Sequence, residues 1–417
     1  MKIVADFHIH SRYSRATSPS MNIAQLDEWA QKKGVRVLGT GDFTHPKWIG
    51  ELEEELEPAE EGLYKRKGVE SETRFVFTVE VSSIYSKGGQ VRKVHTLLFA
   101  PSLEAAQKIN TQLRKIGNLR SDGRPILGLD VKELAKITLD VSEDCLVVPA
   151  HAWTPWFSVF GSKSGFSSLE ECFEEMTPHI YAIETGLSSD PSMNWRISSL
   201  DSVALLSNSD CHSSSKIARE ANVFDTKLSY KEIVGAIKVK DPKRFLYTIE
   251  FFPEEGKYHY DGHRECKVSM KPSGRLAQGT DACNSCGRPL TVGVLSRVEQ
   301  LADRKEGFIP PSAVPYKRLI PLGEIIGDVM GVGPKAKGVA REYSKLLEEF
   351  RTELSILLDI SPQELRRVAG SKISEGIVRV REGNVFIEPG YDGVYGSIHV
   401  FKDGKTPKAQ KTLFSLV

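Results

Sequence analysis

The sequence predicts an α/β barrel over its first 250 residues, and three observations carry that expectation. Seven short apolar runs recur along this stretch, and each carries a carboxylate or histidine at or near its end. They are ADFHIH (Asp6, His8, His10), LGTGDFTH (Asp42, His45), FVFTVEV (Glu80), KVHTLLFA (His95), LVVPAHAW (His151), YAIETG (Glu184) and LLSNSDCH (Asp210, His212). Between the runs lie segments of helical period, such as Ile23, Leu26, Trp29 and Ala30 behind the N-cap candidate Asn22. Such alternation is the pattern of successive βα units. Strand ends in a parallel barrel converge on one mouth, so one ligand-type side chain per strand end predicts a single polynuclear metal site.

Within the first run, His8 and His10 are two residues apart and share one face of a strand, while Ile9 points the other way. Both imidazoles are therefore available to one ion. The acidic run ELEEELEPAEE (51 to 61) is expected as a solvated helix face or an excursion loop, since facing the site it would repel phosphate. A helix is expected over Tyr230 to Val239, and Phe251 to Gly256 reads as an exit from the barrel. The first boundary is accordingly placed at residue 250.

Residues 251 to 294 are short of apolar side chains and rich in Gly, Pro, Cys and Lys/Arg, so this segment needs a staple to fold. His263-x2-Cys266 and Cys283-x2-Cys286 supply two chelating pairs, the second followed by Gly287, and four N/S ligands describe a closed structural zinc site. His259 competes with His263 as the fourth ligand. A redox CxxC would need a βαβ context that is missing here. The basic residues around the ligands (Arg264, Lys267, Lys271, Arg275, Arg288) are solvated surface or a grip on a nucleic-acid backbone.

Residues 295 to 417 are expected to form a mainly helical domain. Val339, Tyr343, Leu346, Leu347, Phe350, Leu354, Leu357 and Leu358 recur at helical spacing and predict one long amphipathic helix. Before it, Gly331-Val332-Gly333, followed by Lys335 and Lys337, looks like a helix-hairpin-helix turn, which binds a DNA phosphate without reading sequence. A glycine C-cap with a following proline gives the same letters. The stretch GIVRVREGNVFIEPGYDGVYGSIHVF alternates like a hairpin or small sheet.

Composition excludes some classes and leaves others open. The 56 basic and 55 acidic residues nearly cancel, so net charge alone does not announce a nucleic-acid binder. No stretch approaches the roughly 18 to 20 apolar residues of a membrane span, and the chain enters a strand directly, which predicts a cytosolic protein. Six cysteines, two of them in a CxxC pair, fit reduced thiols and a metal better than a disulfide framework. Cys211 sits between two ligand candidates, where it would be an awkward nucleophile, and no G-x-S-x-G elbow is present.

The spaced pattern of D-x-H-x-H, an Asp-containing turn, Glu, His, His and a late S-D-x-H resembles the polymerase and histidinol phosphatase (PHP) superfamily over about residues 1 to 240. That resemblance implies a distorted PHP-type (β/α)7 barrel in which His8, His10, Glu80 and Asp210 form one metal site. A second shares Glu80 and adds His95 and His151. For a third, Asp42 and His45 stand where the usual ligands would be, beside His212, with Asp42 alternatively orienting a ligand. A mixed His/carboxylate set suits Zn²⁺, Mn²⁺ or Fe²⁺ better than Mg²⁺ alone, and its chemical use is phosphoester hydrolysis.

The barrel, the KYHYDGHRECK and CNSCGRPLTVGV zinc segment, the ETGLSSDPSMNWR stretch and the helical C-terminal domain together resemble the endonuclease Q family over essentially the full length. This implies a DNA-repair endonuclease that cuts the phosphodiester 5′ to hypoxanthine, uracil, xanthine or an abasic site. His8, His10, Glu80, Asp210 and His212 would be catalytic, with Zn²⁺ structural and catalytic and Mg²⁺ or Mn²⁺ supporting activity. Damaged DNA would be the partner, in the cytoplasm at the nucleoid, with a monomer favoured; a replication clamp is a candidate recruiter that no C-terminal peptide identifies. Reading a deaminated base calls for flipping it into a pocket, and Trp153, Trp156, Trp195 and Arg196 follow site loops, with Gly331, Gly333 and Lys335 on the backbone. The competing expectations are a small-molecule phosphatase of the histidinol-phosphate type and a DNA-binding accessory module that has lost catalysis.

Overall fold

A computed structural model of the chain describes residues 1–402, so the last part of the expected 295–417 domain lies outside the described residues. Seven strands correspond to the seven runs: β1 (Lys2–Asp6), β2 (Val37–Gly39), β3 (Arg74–Lys87), β4 (Gln90–Ala100), β5 (Leu146–Pro149), β6 (Ala182–Glu184) and β7 (Ala204–Leu206). Pairing is parallel from β1 through β2 to β3, antiparallel from β3 through β4 to β5, and parallel between β6 and β7. Two seams join these pieces into a ring. At one, Ala152 N donates to Glu184 O (2.9 Å); at the other, Ile9 bridges Cys211 and His10 N donates to Cys211 O (3.1 Å).

The expected run of regular βα units is corrected at β3 and β4. These strands form one long antiparallel hairpin closed by Gly88-Gly89, both at positive φ. A Gly-Gly turn between two alternating apolar runs favours that hairpin over a crossover helix. Glu80 and His95 therefore lie in mid-strand rather than at strand ends. In this register Glu80 opposes Leu97 and Ser82 opposes His95, so all four share one face.

Elsewhere local signals and structure agree. Asn22 caps the helix Ile23–Lys33 by accepting from Gln25 N, and Ser229 caps Tyr230–Val239 through Glu232 N. The acidic run is split between the end of a helix (Pro46–Glu55) and a short strand (Leu56–Pro58), with Leu52 and Leu56 buried. On its other edge β1 pairs antiparallel with Ala221–Asp225, which pairs with Phe245–Glu250, which in turn pairs parallel with Tyr316–Arg318. The central sheet thus takes a strand from beyond residue 295.

After that strand the chain is helical: Leu322–Met330, Lys337–Phe350, Glu353–Leu358 and Pro362–Arg381. Two expectations are corrected here. The single helix expected across Val339 to Leu358 breaks at Arg351, which adopts positive φ, and Thr352 recaps the chain by accepting from Ser355 N. The segment IVRVR is helical rather than extended, because Ile373, Ile377 and Val380 at helical spacing bury together. The tail hairpin shrinks to Phe386–Glu388 against Ser397–His399. Among the described residues no helix is long and apolar enough to cross a membrane.

Candidate metal centre

Glu80 is fully buried and its two oxygens face two different sets of donors. Oε2 lies 3.5 Å from His8 Nε2 and 3.2 Å from His10 Nε2, and Asp210 Oδ1 lies 3.6 and 3.1 Å from the same two nitrogens. Oε1 lies 2.6 Å from His95 Nδ1 and 3.0 Å from His151 Nε2, which are 3.2 Å from each other. Donors bound to one ion at about 2.0–2.2 Å are separated from each other by about 3.0–3.5 Å; the first set is spaced in this way, and the second is too except that Glu80 and His95 stand closer, at 2.6 Å. His8 Nε2 has no hydrogen-bond partner despite complete burial. A buried orphan aimed into a cluster of carboxylates and imidazoles fits a cation and little else.

A second layer of side chains fixes the rings. His8 Nδ1 is 3.0 Å from both oxygens of Glu184, which also accepts from Asn208 Nδ2 (2.9 Å) and His151 N (2.8 Å). His10 Nδ1 is 3.1 Å from Asp42 Oδ1, while Asp42 Oδ2 accepts from Ser11 N, Ser11 Oγ and Ser14 Oγ. Carboxylates behind the imidazoles set the tautomer and leave each Nε2 free to ligate. Asp6 lies one step further out, accepting from Ser209 N and Ala218 N, and burial lifts its carboxyl to about 6. Asp42, His151 and Asp210 all hold positive φ, an unusual conformation for non-glycine residues that clusters at functional sites.

Electrostatically the cluster compensates itself. Burial opposes charge on Glu80, but His95, Arg124 and His8 hold it well below the usual carboxylate range. Burial likewise opposes protonation of His8, yet Glu184, Asp210 and Glu80 push it well above the usual imidazole range. His95, where burial dominates, falls to about 4.

The remaining predicted residues are placed unevenly. Asp42 has both oxygens engaged behind His10, the orienting role rather than a ligand position. His45 stacks on Tyr13 (ring centroids 4.4 Å apart) with Nε2 3.3 Å from Arg120 O. His212 packs its ring 4.5 Å from that of His10 and keeps Nδ1 3.0 Å from Asp210 O. The structure does not bring Asp42, His45 and His212 together as a third group of donors. Trp153 and Trp195 are core side chains, Trp153 donating to Asn194 Oδ1 and Trp195 packing on Tyr316. Arg196 is held by Glu299 and by Arg304 O. Trp156 alone of the three is exposed, edge-on to Tyr258.

Sequence reasoning missed Arg124, whose Nη1 donates to Glu80 Oε2 at 2.9 Å. No apolar run ends near it and a lone arginine in a polar loop carries no signal.

Away from the central sheet, His263, Cys266, Cys283 and Cys286 bring one donor atom each within 4.8 Å of one another, with Cys286 Sγ 3.6 Å from His263 Nδ1. His259 is not among them; it is buried beside Tyr260. The knuckle closes as Gly287 N donates to Cys283 O, with Gly287 at positive φ. Gly331 caps Leu322–Met330 in the left-handed conformation, and Met330 and Val332 are exposed at the turn.

Fold and site together define a mixed α/β protein with a central sheet, an enclosed His/carboxylate cluster that could hold metal ions and a helical C-terminal region. Two solved structures match it over nearly its whole length. The lesion-specific endonuclease PfuEndoQ of Pyrococcus furiosus superposes with TM-score 0.85 at 32% identity, covering 96% of this chain and 95% of that one. An endonuclease Q complexed with a 27-mer duplex substrate bearing an abasic lesion at the active site gives 0.84 at 31%, with complete coverage of both chains. The uncharacterized Bacillus subtilis protein YqxK is 30% identical over 95% of this chain and 99% of its own length. The family model named MJ0043 C-terminal domain matches residues 321–384. The chain belongs to the endonuclease Q family.

Proposed function

We propose that the protein is a metal-dependent DNA-repair endonuclease that hydrolyses the phosphodiester 5′ to a deaminated base (hypoxanthine, uracil or xanthine) or an abasic site. The observation that carries this is the Glu80-centred double donor set inside a chain that matches, end to end, an endonuclease Q holding abasic duplex at its active site. We assign residues 1–250 to a PHP-type (β/α)7 barrel bearing the chemistry, 251–294 to a zinc-stapled segment and 295–417 to a helical DNA-binding domain.

His8, His10, Glu80 and Asp210 would hold one ion, and Glu80, His95 and His151 another. Divalent ions there would lower the pKa of a water and neutralise charge on the departing oxygen. Glu80 joins the two donor sets, so its burial fixes their spacing. Glu184 and Asp42 keep His8 and His10 in the tautomer that donates through Nε2. His212 is partly exposed beside His10 and Asp210, at the rim where a proton is lost or gained. The 331–337 turn would grip a distant phosphate through backbone N–H groups and Lys335. The four-donor set of His263, Cys266, Cys283 and Cys286 would hold a structural Zn²⁺.

The test is incubation with Mn²⁺ or Mg²⁺ of end-labelled duplexes carrying hypoxanthine, uracil, an abasic site or no lesion, alongside a His8→Ala, Asp210→Ala double variant. A single nick 5′ to the lesion, absent in the variant, is the expected result. Intact DNA with phosphate released from a small monoester would establish a phosphatase instead.

A further inference from the structure

Residues 118–125 form a loop pinned against the metal centre. Gly123 N donates to Tyr13 O (2.9 Å), Thr44 Oγ1 donates to Gly123 O (3.4 Å) and His45 Nε2 lies 3.3 Å from Arg120 O. Asp122 pairs with Arg15 (3.2 Å) and accepts from Arg124 N (3.2 Å). A Cβ on Gly123 would lie 2.3 Å from Asp42 Oδ2 and 2.4 Å from Ser14 Oγ, so only glycine lets the loop approach this closely. Past Arg124, Pro125 O accepts from Ser82 N, and Ile126–Leu127 pairs with Ser82 and Ser83 of β3. Arg124 is clamped on both sides, and the side chains of Thr44 and His45 serve to hold it there.

The clamp delivers a guanidinium to Glu80. One of its five N–H donors is used on Glu80 Oε2, and among the described residues its side chain has no other hydrogen-bond partner; it is 28% exposed where Glu80 is wholly buried. With ions in both donor sets, a fixed cation beside the carboxylate that joins them would leave local positive charge that attracts an anion. Planar fork geometry makes arginine suited to two oxygens of one phosphate.

We propose that Arg124 binds the non-bridging oxygens of the phosphodiester that is cut, a role that rests on the nuclease function proposed above. The guanidinium stays protonated throughout. It offsets the charge that builds on those oxygens as the water oxygen bonds to phosphorus and the bond to the leaving oxygen breaks.

The test compares wild type, Arg124→Gln and Arg124→Lys in three measurements: single-turnover nicking of an abasic duplex at saturating Mn²⁺, Mn²⁺ titration without DNA, and duplex binding in Ca²⁺. For Arg124→Gln the nicking rate is expected to fall about 10²–10³-fold, while Mn²⁺ stoichiometry is kept and duplex affinity changes by only a few-fold. Arg124→Lys should recover part of the rate, because it restores charge without the fork. Nicking by Arg124→Gln at the wild-type rate, or Mn²⁺ loss in step with the rate, would overturn the assignment, the second by showing that Arg124 serves Glu80. Intact duplex with the wild type would instead remove the nuclease function itself.

Discussion

Glu184 shows how one side chain outside the donor sets can govern a site. It faces His8 Nδ1 with both oxygens and also accepts from the backbone of His151, so it orients one donor from each set. Glu184→Gln is expected to weaken Mn²⁺ binding about 10- to 100-fold, read by titration with the fold checked by circular dichroism; unchanged affinity would show that the rings are held by packing alone. A different buried carboxyl, Glu250, is a liability for stability. Burial, with Asp190 nearby, raises it to about 8 although Thr248 and Thr185 donate to it. Because the folded value lies above that of the unfolded chain, the native state holds a proton that the unfolded state releases. Stability attributable to this group is fully present below pH 4 to 5 and is lost as pH rises through about 8. Glu250→Gln should therefore melt higher than wild type at pH 8.5 and similarly at pH 4.5, and parallel Tm profiles across that range would contradict this.

At the scale of single elements, the segment carrying His263, Cys266, Cys283 and Cys286 has little core of its own. Its hairpin (Asp261–His263 with Val268–Met270) and short helix (Pro272–Gln278) bury only Asp261, Gly262, Pro272 and Arg275, so a metal on the four-donor cluster would add cohesion that apolar packing does not supply. Cys283→Ser is expected to lose one Zn²⁺ and the hydrogen-exchange protection of residues 261–290 while the barrel keeps its own; full protection without metal would show that packing suffices. The 331–337 turn is the other element with an assignable task. Lys335→Ala should lower the slope of log affinity against log salt for undamaged duplex by about one. No change in slope would leave the turn as a plain helix connection.

Across the whole molecule, the first helix is locked to the C-terminal helical region by a buried ion pair. Lys33 of the first helix lies 2.6 Å from Glu353, which also accepts from Tyr343 OH (2.7 Å) and Leu322 N (3.0 Å). Glu353→Ala would strand a buried ammonium and should cost about 3–5 kcal/mol in urea unfolding, whereas a loss below 1 kcal/mol would mean that Lys33 escapes to water. No sequence window contains this pair, which is 320 residues apart. The local signals, by contrast, were legible: the ligand-bearing strands, the Asn22 cap, the helix Tyr230–Val239, the chelating pairs and the glycine C-cap at Gly331 each depend on a few neighbouring residues. The helical IVRVR segment was misread because a short apolar run satisfies either period until a partner surface selects one, and the β3–β4 hairpin because the Gly88-Gly89 turn was outweighed by the βα pattern around it. By itself the sequence determined which side chains could ligate and which local elements carry them. Only the tertiary structure decided that Glu80 joins two donor sets, that Asp42 faces His10 Nδ1, that His45 stacks on Tyr13, and that Arg124 reaches Glu80. Coordination geometry, burial and the pairing of distant charges are properties of assembled surfaces and have no counterpart in the order of residues.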